Sequence, residues 1–145
     1  MHDDPSEDEI LAAGLAALAG SVGGGRGGLT GRVARRMKKN VHETDVPLPL
    51  PYERAVGYVT AFLAGHGRPL EATLSAADAT SVTLRMVTGG GAGGLNPVVV
   101  TAVITAAGDA AVTVRLRAAA KEGLIKQRAG EKTAVRLAAE LAAGA

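Results

Sequence analysis

The chain has 145 residues, a formal net charge of +2 and no cysteine. The length predicts one domain with a tail, and the missing thiols exclude a disulfide framework and a thiolate zinc site. Because the amino terminus is acidic and the longest apolar runs are shorter than a bilayer crossing, we expect a cytoplasmic protein without a secretory signal or a transmembrane segment.

The first 40 residues differ from the rest of the chain in their charge pattern. Residues 1–9 contain five acidic residues and no Lys or Arg, whereas residues 10–40 contain six basic residues and no acidic one. We therefore divide the chain into a leader, residues 1–40, and a compact domain, residues 41–145. The leader is expected to be flexible.

The leader begins with a predicted amphipathic helix that ends near Ala19. Its start is predicted near three residues that commonly cap helices, namely Asp3, Asp4 and Ser6. Its apolar stripe consists of Ile10, Leu11, Leu15 and Leu18. Two interpretations are open: the helix docks on a partner or a second copy, or it packs on its own domain or frays.

A glycine-rich stretch and a basic arm complete the leader. Residues 21–31 lack the Gly-Lys-Ser/Thr ending and the preceding strand of a phosphate-binding loop, so they are interpreted as a linker. The basic arm contains Arg32, Arg35, Arg36, Lys38 and Lys39. Such an arm binds nucleic-acid phosphate or an anionic membrane by counterion release, folds onto the acidic start of the chain, or stays solvated without a partner.

The compact domain begins with a predicted strand and a predicted helix. Residues Val41–Leu48 alternate between the two faces of a strand. Because Pro47 and Pro49 prevent continuous pairing, this strand is expected to lie at a sheet edge or to end early. Apolar residues then recur at helical spacing, which predicts a helix over Tyr52–Ala64 that ends at Gly65.

Four further strands and a helix are predicted in the rest of the domain. The strands are Glu71–Ser75, Thr80–Val87, Val98–Thr105 and Ala111–Arg117. A second glycine loop, Gly89–Gly94, is interpreted as a mobile hairpin tip, with a flap over a ligand as the functional alternative. The last helix follows a break near Gly130 and ends near Ala142. Its predicted inner face consists of Ala134, Val135, Ala138 and Leu141.

This order of elements predicts an α+β fold. A strand, a helix, four strands and a helix form a two-layer sandwich in which two helices cover one face of an antiparallel sheet. The order resembles the TATA-binding-protein-like fold, to which helix-grip domains are topologically similar, over residues 41–142. The resemblance concerns element order alone. It implies no functional residues, because no family motif is present and the sheet lacks the phenylalanine wedges of the TATA-binding family.

The outer face of the predicted sheet carries the candidate binding residues. By strand parity it presents Thr73, Thr83, Arg85, Thr101, Thr113, Arg115 and Arg117. The side chains of Arg85, Arg115 and Arg117 can fork onto carboxylate or phosphate, and the Tyr58 hydroxyl, off its helix stripe, is a further candidate. The alternative is that these Thr and Arg residues form the solvent-exposed face of an antiparallel sheet and bind no ligand.

The sequence shows no set of residues in the spacing that is typical of a catalytic site. The three histidines, His2, His42 and His66, are scattered, and the serines lie outside a nucleophile-elbow context. We therefore expect no enzymatic activity, no cofactor and no metal. The leading hypothesis is a small binding or interaction module that holds a small apolar or anionic ligand, binds a protein partner, or self-associates. The alternative is nucleic-acid binding through Arg32–Lys39 and the sheet arginines.

Overall fold

The computed structural model describes residues 5–22, 37–70, 73–74, 81–90, 94–122 and 127–145. The helices in these ranges are α1 (Pro5–Val22), α2 (Tyr52–His66) and α3 (Ala129–Gly144). The strands are β1 (Lys39–Leu48), β2 (Arg68–Pro69), β3 (Thr73–Leu74), β4 (Ser81–Gly90), β5 (Asn96–Ala106) and β6 (Val112–Lys121).

All the described strands belong to one antiparallel sheet. The strand order is β1-β6-β5-β4. The two short strands β2 and β3 both pair with the edge of β4 that faces away from β5. The first strand therefore pairs with the last one, from Lys39 opposite Lys121 to Leu48 opposite Val112. Pro47 is tolerated because β1 is an edge strand, as its prolines predicted. The predicted α+β fold with an antiparallel sheet is confirmed.

The inner face of the sheet forms the main hydrophobic core with α2 and α3. The strand alternation is confirmed, because the predicted inward residues of β4, β5 and β6 are buried. The core side chains from the strands include Val46, Leu48, Val82, Leu84, Met86, Val98, Val100, Ala102, Ile104, Val112, Val114 and Leu116. Helix α2 adds Ala55, Val59 and Leu63 to this core, on the face that its apolar spacing predicted.

The inner face of α3 differs from the predicted one in one residue. Val135 was expected to point inward, but it is 54% exposed, whereas Leu137 is fully buried. The buried stripe is centred on Ala134, Leu137 and Leu141, and Val135 lies about a third of a turn away from it. The outer pair of Arg136 and Glu140 forms as predicted, at 3.9 Å.

Helix α1 packs against the opposite, outer face of the sheet. Leu11 is fully buried there against Val99 and Ala119, and Ile10, Val41 and Val87 surround this second cluster. The outer face was expected to be polar, but at this end of the sheet its side chains are apolar. Apolar side chains on this face are stabilised by removal from water, as on the inner face, and α1 packs over them.

Candidate functional site

Cross-strand register aligns the outer-face side chains in rows. One row contains Arg85, Thr101, Arg117 and Glu43, and the next contains Thr83, Val103, Arg115 and Asp45. On the other side of the first row lies the apolar row that α1 covers. The outer face thus has a covered apolar end and an uncovered end rich in polar side chains.

Arg115 is already bound by a carboxylate of its own chain. Its Nε donates to Asp45 Oδ1 at 2.8 Å, and its Nη2 donates to Asp45 Oδ2 at 3.1 Å. The hydrogen bond from Arg115 holds the pKa of Asp45 below its usual value, although partial desolvation opposes this effect. The two N–H groups of Arg115 that were predicted to bind a ligand therefore bind Asp45, in an ion pair that is exposed to solvent.

Arg117 lies under α1 and binds two carboxylates. Its Nε and Nη2 donate to the two oxygens of Glu7 at 3.1 and 3.2 Å, and its Nη1 donates to Glu43 Oε1 at 2.9 Å. The hydrogen bond to Glu7 raises the pKa of Arg117 above its ordinary value; burial opposes this, and Glu43 adds to it. The side chain of Glu7 is only 2% exposed.

Two lysines complete this cluster. Lys39 Nζ lies 3.2 Å from Glu7 Oε1 and 3.5 Å from Asp8 Oδ1, and Lys121 Nζ lies 2.6 Å from the same Asp8 oxygen. Burial by itself would raise the pKa of Asp8, but the hydrogen bond and charge of Lys121, with help from Lys39, hold it below its ordinary value. We call Glu7, Asp8, Lys39, Arg117 and Lys121 the α1 clasp.

A shallow apolar groove lies beyond the clasp, between α1 and the end of the β4–β5 hairpin. Its volume is about 380 Å³, and its side chains carry no charge. The lining residues include Gly14, Ala17, Leu18, Val87, Leu95 and Pro97. Leu95 is 68% exposed and Leu18 is 37% exposed, which makes them two of the most exposed large apolar side chains among the described residues.

The predicted ligand-binding residues do not converge on one site. Tyr58 lies on α2, over the inner face, where its hydroxyl donates to the carbonyl oxygen of Leu141 at 2.8 Å. Arg85, Arg115 and Arg117 lie on the outer face, and Arg85 is half-buried beside Thr101. The sheet separates the phenol from the guanidinium groups.

Only part of the predicted basic arm can be placed. Lys38 is exposed, and Lys39 is drawn into the α1 clasp. Arg32, Arg35 and Arg36 lie outside the described residues.

His66 links α2 to α3, because its Nε2 lies 2.7 Å from Glu140 Oε2. Its Nδ1 lies 2.7 Å from the carbonyl oxygen of Phe62, within α2.

The part of the chain that the structure describes contains neither a cluster of metal-ligating side chains nor a membrane-spanning helix. There, no three His, Asp or Glu side chains are grouped closely enough to hold a metal ion. None of the described helices is both long enough and apolar enough to cross a bilayer.

Sequence reasoning missed Glu7 and Lys121, although two signals pointed to them. Glu7 lies one helical turn before Leu11, so it shares the stripe that α1 buries. Residues 98–100 and 118–120 are apolar on both strand faces, a pattern typical of strands covered on both sides. Together these signals indicate a helix on the outer face with a buried carboxylate.

Fold and surfaces define a small α+β sandwich whose outer face is partly covered by an amino-terminal helix. The sequence matches no known family model, and no curated protein sequence is significantly similar to it. Function must therefore be inferred from the two surfaces beside α1, the apolar groove and the clasp.

Proposed function

We propose that this protein is a small non-enzymatic interaction module that self-associates through α1 and the adjoining groove. One observation carries this proposal: from Ile10 to Val22 the helix contains no Asp, Glu, Lys, Arg or His. Helices on the surface of a monomer normally present charged residues to water. The uncharged surface of α1 continues into the groove, whose rim carries the exposed side chain of Leu95.

A second copy of the chain fits this surface better than a charged partner does. A two-fold interface places a surface patch against itself, so a charged patch would meet its own charge there. This patch is uncharged, so two copies can face each other there without repulsion between like charges. Ala13 and Ala17 are exposed on α1, and such small side chains let two helices approach closely.

The expected association is weak and dependent on concentration. The patch consists of one helix face and one hairpin end, whereas permanent dimers typically bury more than about 2,000 Å² of surface. Self-association of this kind responds to local protein concentration, as in modules that gather copies rather than form fixed assemblies.

The test is sedimentation velocity over a range of protein concentrations. The wild-type sedimentation coefficient should rise with concentration, and Leu95→Glu, which places a charge on the rim, should remain monomeric. Val135→Glu is the matched control, because Val135 is 54% exposed on α3, away from the groove. A wild-type protein that stays monomeric throughout, or a control that dissociates equally, would refute self-association through this patch.

Native mass spectrometry of the same samples distinguishes a small ligand from a second copy. A monomer that retains a stoichiometric apolar molecule, lost in Leu95→Glu, would show that a small ligand occupies the groove. A dimer without added mass supports the second copy.

A further inference from the structure

The cations of the α1 clasp lie together on the outer face of the sheet, beneath the start of α1. Lys39 and Lys121 face each other in register on β1 and β6, and Arg117 follows on the same face of β6. Among the described side chains of α1, the carboxylates of Glu7 and Asp8 contact these cations. We propose that Lys39, Arg117 and Lys121 are a phosphate-binding site for double-stranded nucleic acid, which the acidic start of α1 occupies as a built-in competitor.

The donor set of the clasp is suited to phosphate as well as to carboxylate. Arg117 presents two parallel N–H groups to Glu7, the fork geometry that also binds a phosphate group. Lys39 and Lys121 add mobile ammonium groups on the same side. The carboxylates of α1 therefore stand where the oxygens of a phosphate would be bound.

Occupation by α1 and by an external anion is mutually exclusive, because both would use the same donor groups of Arg117, Lys39 and Lys121. The side chains of Lys121 and Lys39 are only 3% and 9% exposed while α1 is docked, so release of α1 would open both ammonium groups to an outside anion. Arg117 would keep its hydrogen bond to Glu43, and Lys121 its contact with the carbonyl oxygen of Met37. The carboxylates of α1 and an anion from outside would therefore compete for this site. The measured affinity for the outside ligand is lowered by the fraction of molecules in which α1 is docked.

Duplex backbone is the nucleic acid that this surface favours. The strands contain no Phe, Tyr or Trp, so the outer face cannot stack unpaired bases as single-strand binders do. Duplex binding is mainly electrostatic and requires only cations arranged along a surface. Lys38, exposed next to Lys39, extends the cationic surface beyond the edge of α1.

The test measures binding of a fluorescent duplex of random sequence, about 20 base pairs long, by anisotropy at low salt. The double variant Glu7→Gln/Asp8→Asn should bind at least about tenfold more tightly than the wild type, because α1 no longer competes. Glu9→Gln/Glu53→Gln is the charge-matched control, since both glutamates are exposed and lie outside the clasp. Adding Lys39→Ala and Lys121→Ala to the released variant should abolish the gain.

A second variant displaces α1 without changing any charge. A Cβ atom at Gly14 would lie 3.1 Å from Pro97 Cγ, so Gly14→Leu should push the helix off the sheet. Gly57→Leu is its control, because no atom lies within 4 Å of a Cβ placed there. Hydrogen exchange in residues 5–18 reports directly whether α1 has been released.

Three results would overturn the proposal. The gain would be a net-charge effect if the clasp variant and its charge-matched control gained equally. Competition by α1 would be excluded if Gly14→Leu released the helix without tighter binding. Nucleic acid would be the wrong ligand if released protein bound vesicles of anionic phospholipid but not the duplex. Should Glu7→Gln/Asp8→Asn fail to fold, Gly14→Leu decides the question.

Discussion

Arg117 on the last strand binds the carboxylate of Glu7 on the first helix through two parallel hydrogen bonds of 3.1 and 3.2 Å. The two residues are 110 positions apart in the chain, and the carboxylate is almost completely buried. A paired charge of this kind contributes little net stability by itself, but removing one partner is costly. The pair therefore joins the start of α1 to β6 on the outer face of the sheet.

Replacing Glu7 by Gln should detach α1 from the sheet. The change removes the carboxylate that Arg117 and Lys39 share in the docked state, so that only Glu43 and Asp8 still pair with them there. We expect a loss of about 3 kcal/mol in the free energy of docking. Hydrogen exchange of the α1 amides measures this loss. Glu43→Gln is the control, because Glu43 binds the same arginine but is half-exposed, so its removal should cost less than about 1 kcal/mol. Equal losses would show that burial of Glu7 is unimportant.

Docking of α1 should also weaken in acid. The folded-state pKa of Asp8 lies below its ordinary value of 3.8, chiefly because Lys121 and Lys39 offset the effect of burial. A depressed pKa means that the stabilisation is complete above the unfolded-state value and is lost as the pH falls through the folded-state value. Protection of the α1 amides from hydrogen exchange should therefore decrease once the pH is lower than about 4.

Asp8→Asn tests the origin of this acid effect. The variant should show reduced protection of α1 already at neutral pH, and its protection should change less below about pH 4 than in the wild type. An unchanged acid response in Asp8→Asn would assign the effect to other carboxylates.

Gly130, at the start of α3, should not tolerate a side chain. A Cβ atom there would overlap the carbonyl oxygen of Asn40 and lie 2.9 Å from that of Ala118. The backbone N–H of Glu131 also donates a hydrogen bond to Asn40 Oδ1 at 2.9 Å, so the start of α3 cannot easily move away from β1. We expect Gly130→Ala to lower the free energy of unfolding by about 2 kcal/mol or more, measured by urea denaturation.

Gly57→Ala is the opposite case and serves as the control. Gly57 lies inside α2 with open space around it, so Ala there should stabilise the protein by about 0.5–1 kcal/mol. A destabilised Gly57→Ala would mean that helix substitutions are poorly tolerated in general, and the effect at Gly130 would then lose its specific cause.

Tyr58 should act through its hydroxyl as a link between the two inner helices. Tyr58→Phe removes the hydrogen bond to Leu141 and leaves the carbonyl near the end of α3 without this donor, at an expected cost of about 1 kcal/mol in thermal or urea unfolding. Tyr52→Phe is the matched control, because Tyr52 packs against the same core and its hydroxyl has no hydrogen bond within the described ranges. A neutral Tyr58→Phe would show that water replaces the contact without loss.

The clearest successes of sequence reasoning lie where a local pattern has one physical meaning. The alternation of Val82, Leu84 and Met86 predicted a buried strand face, and these residues are buried. Pro47 predicted an edge strand, and β1 is one. Val135 was assigned to the wrong side of α3, because an alanine-rich helix has several nearly equivalent apolar stripes and packing selects one of them.

The sequence by itself determined the order of the long strands and the helices, the inward face of each long strand and the charge of each segment, because these follow from spacing along a few neighbouring residues. It did not predict the short strand β2, whose two residues are too few to show a period. Only the tertiary structure decided that β1 closes the sheet against β6, that α1 covers the outer face, and that Glu7, Arg117 and Lys121 meet beneath it. These contacts join residues far apart in the chain, and their energies depend on burial and on partners that no local pattern specifies.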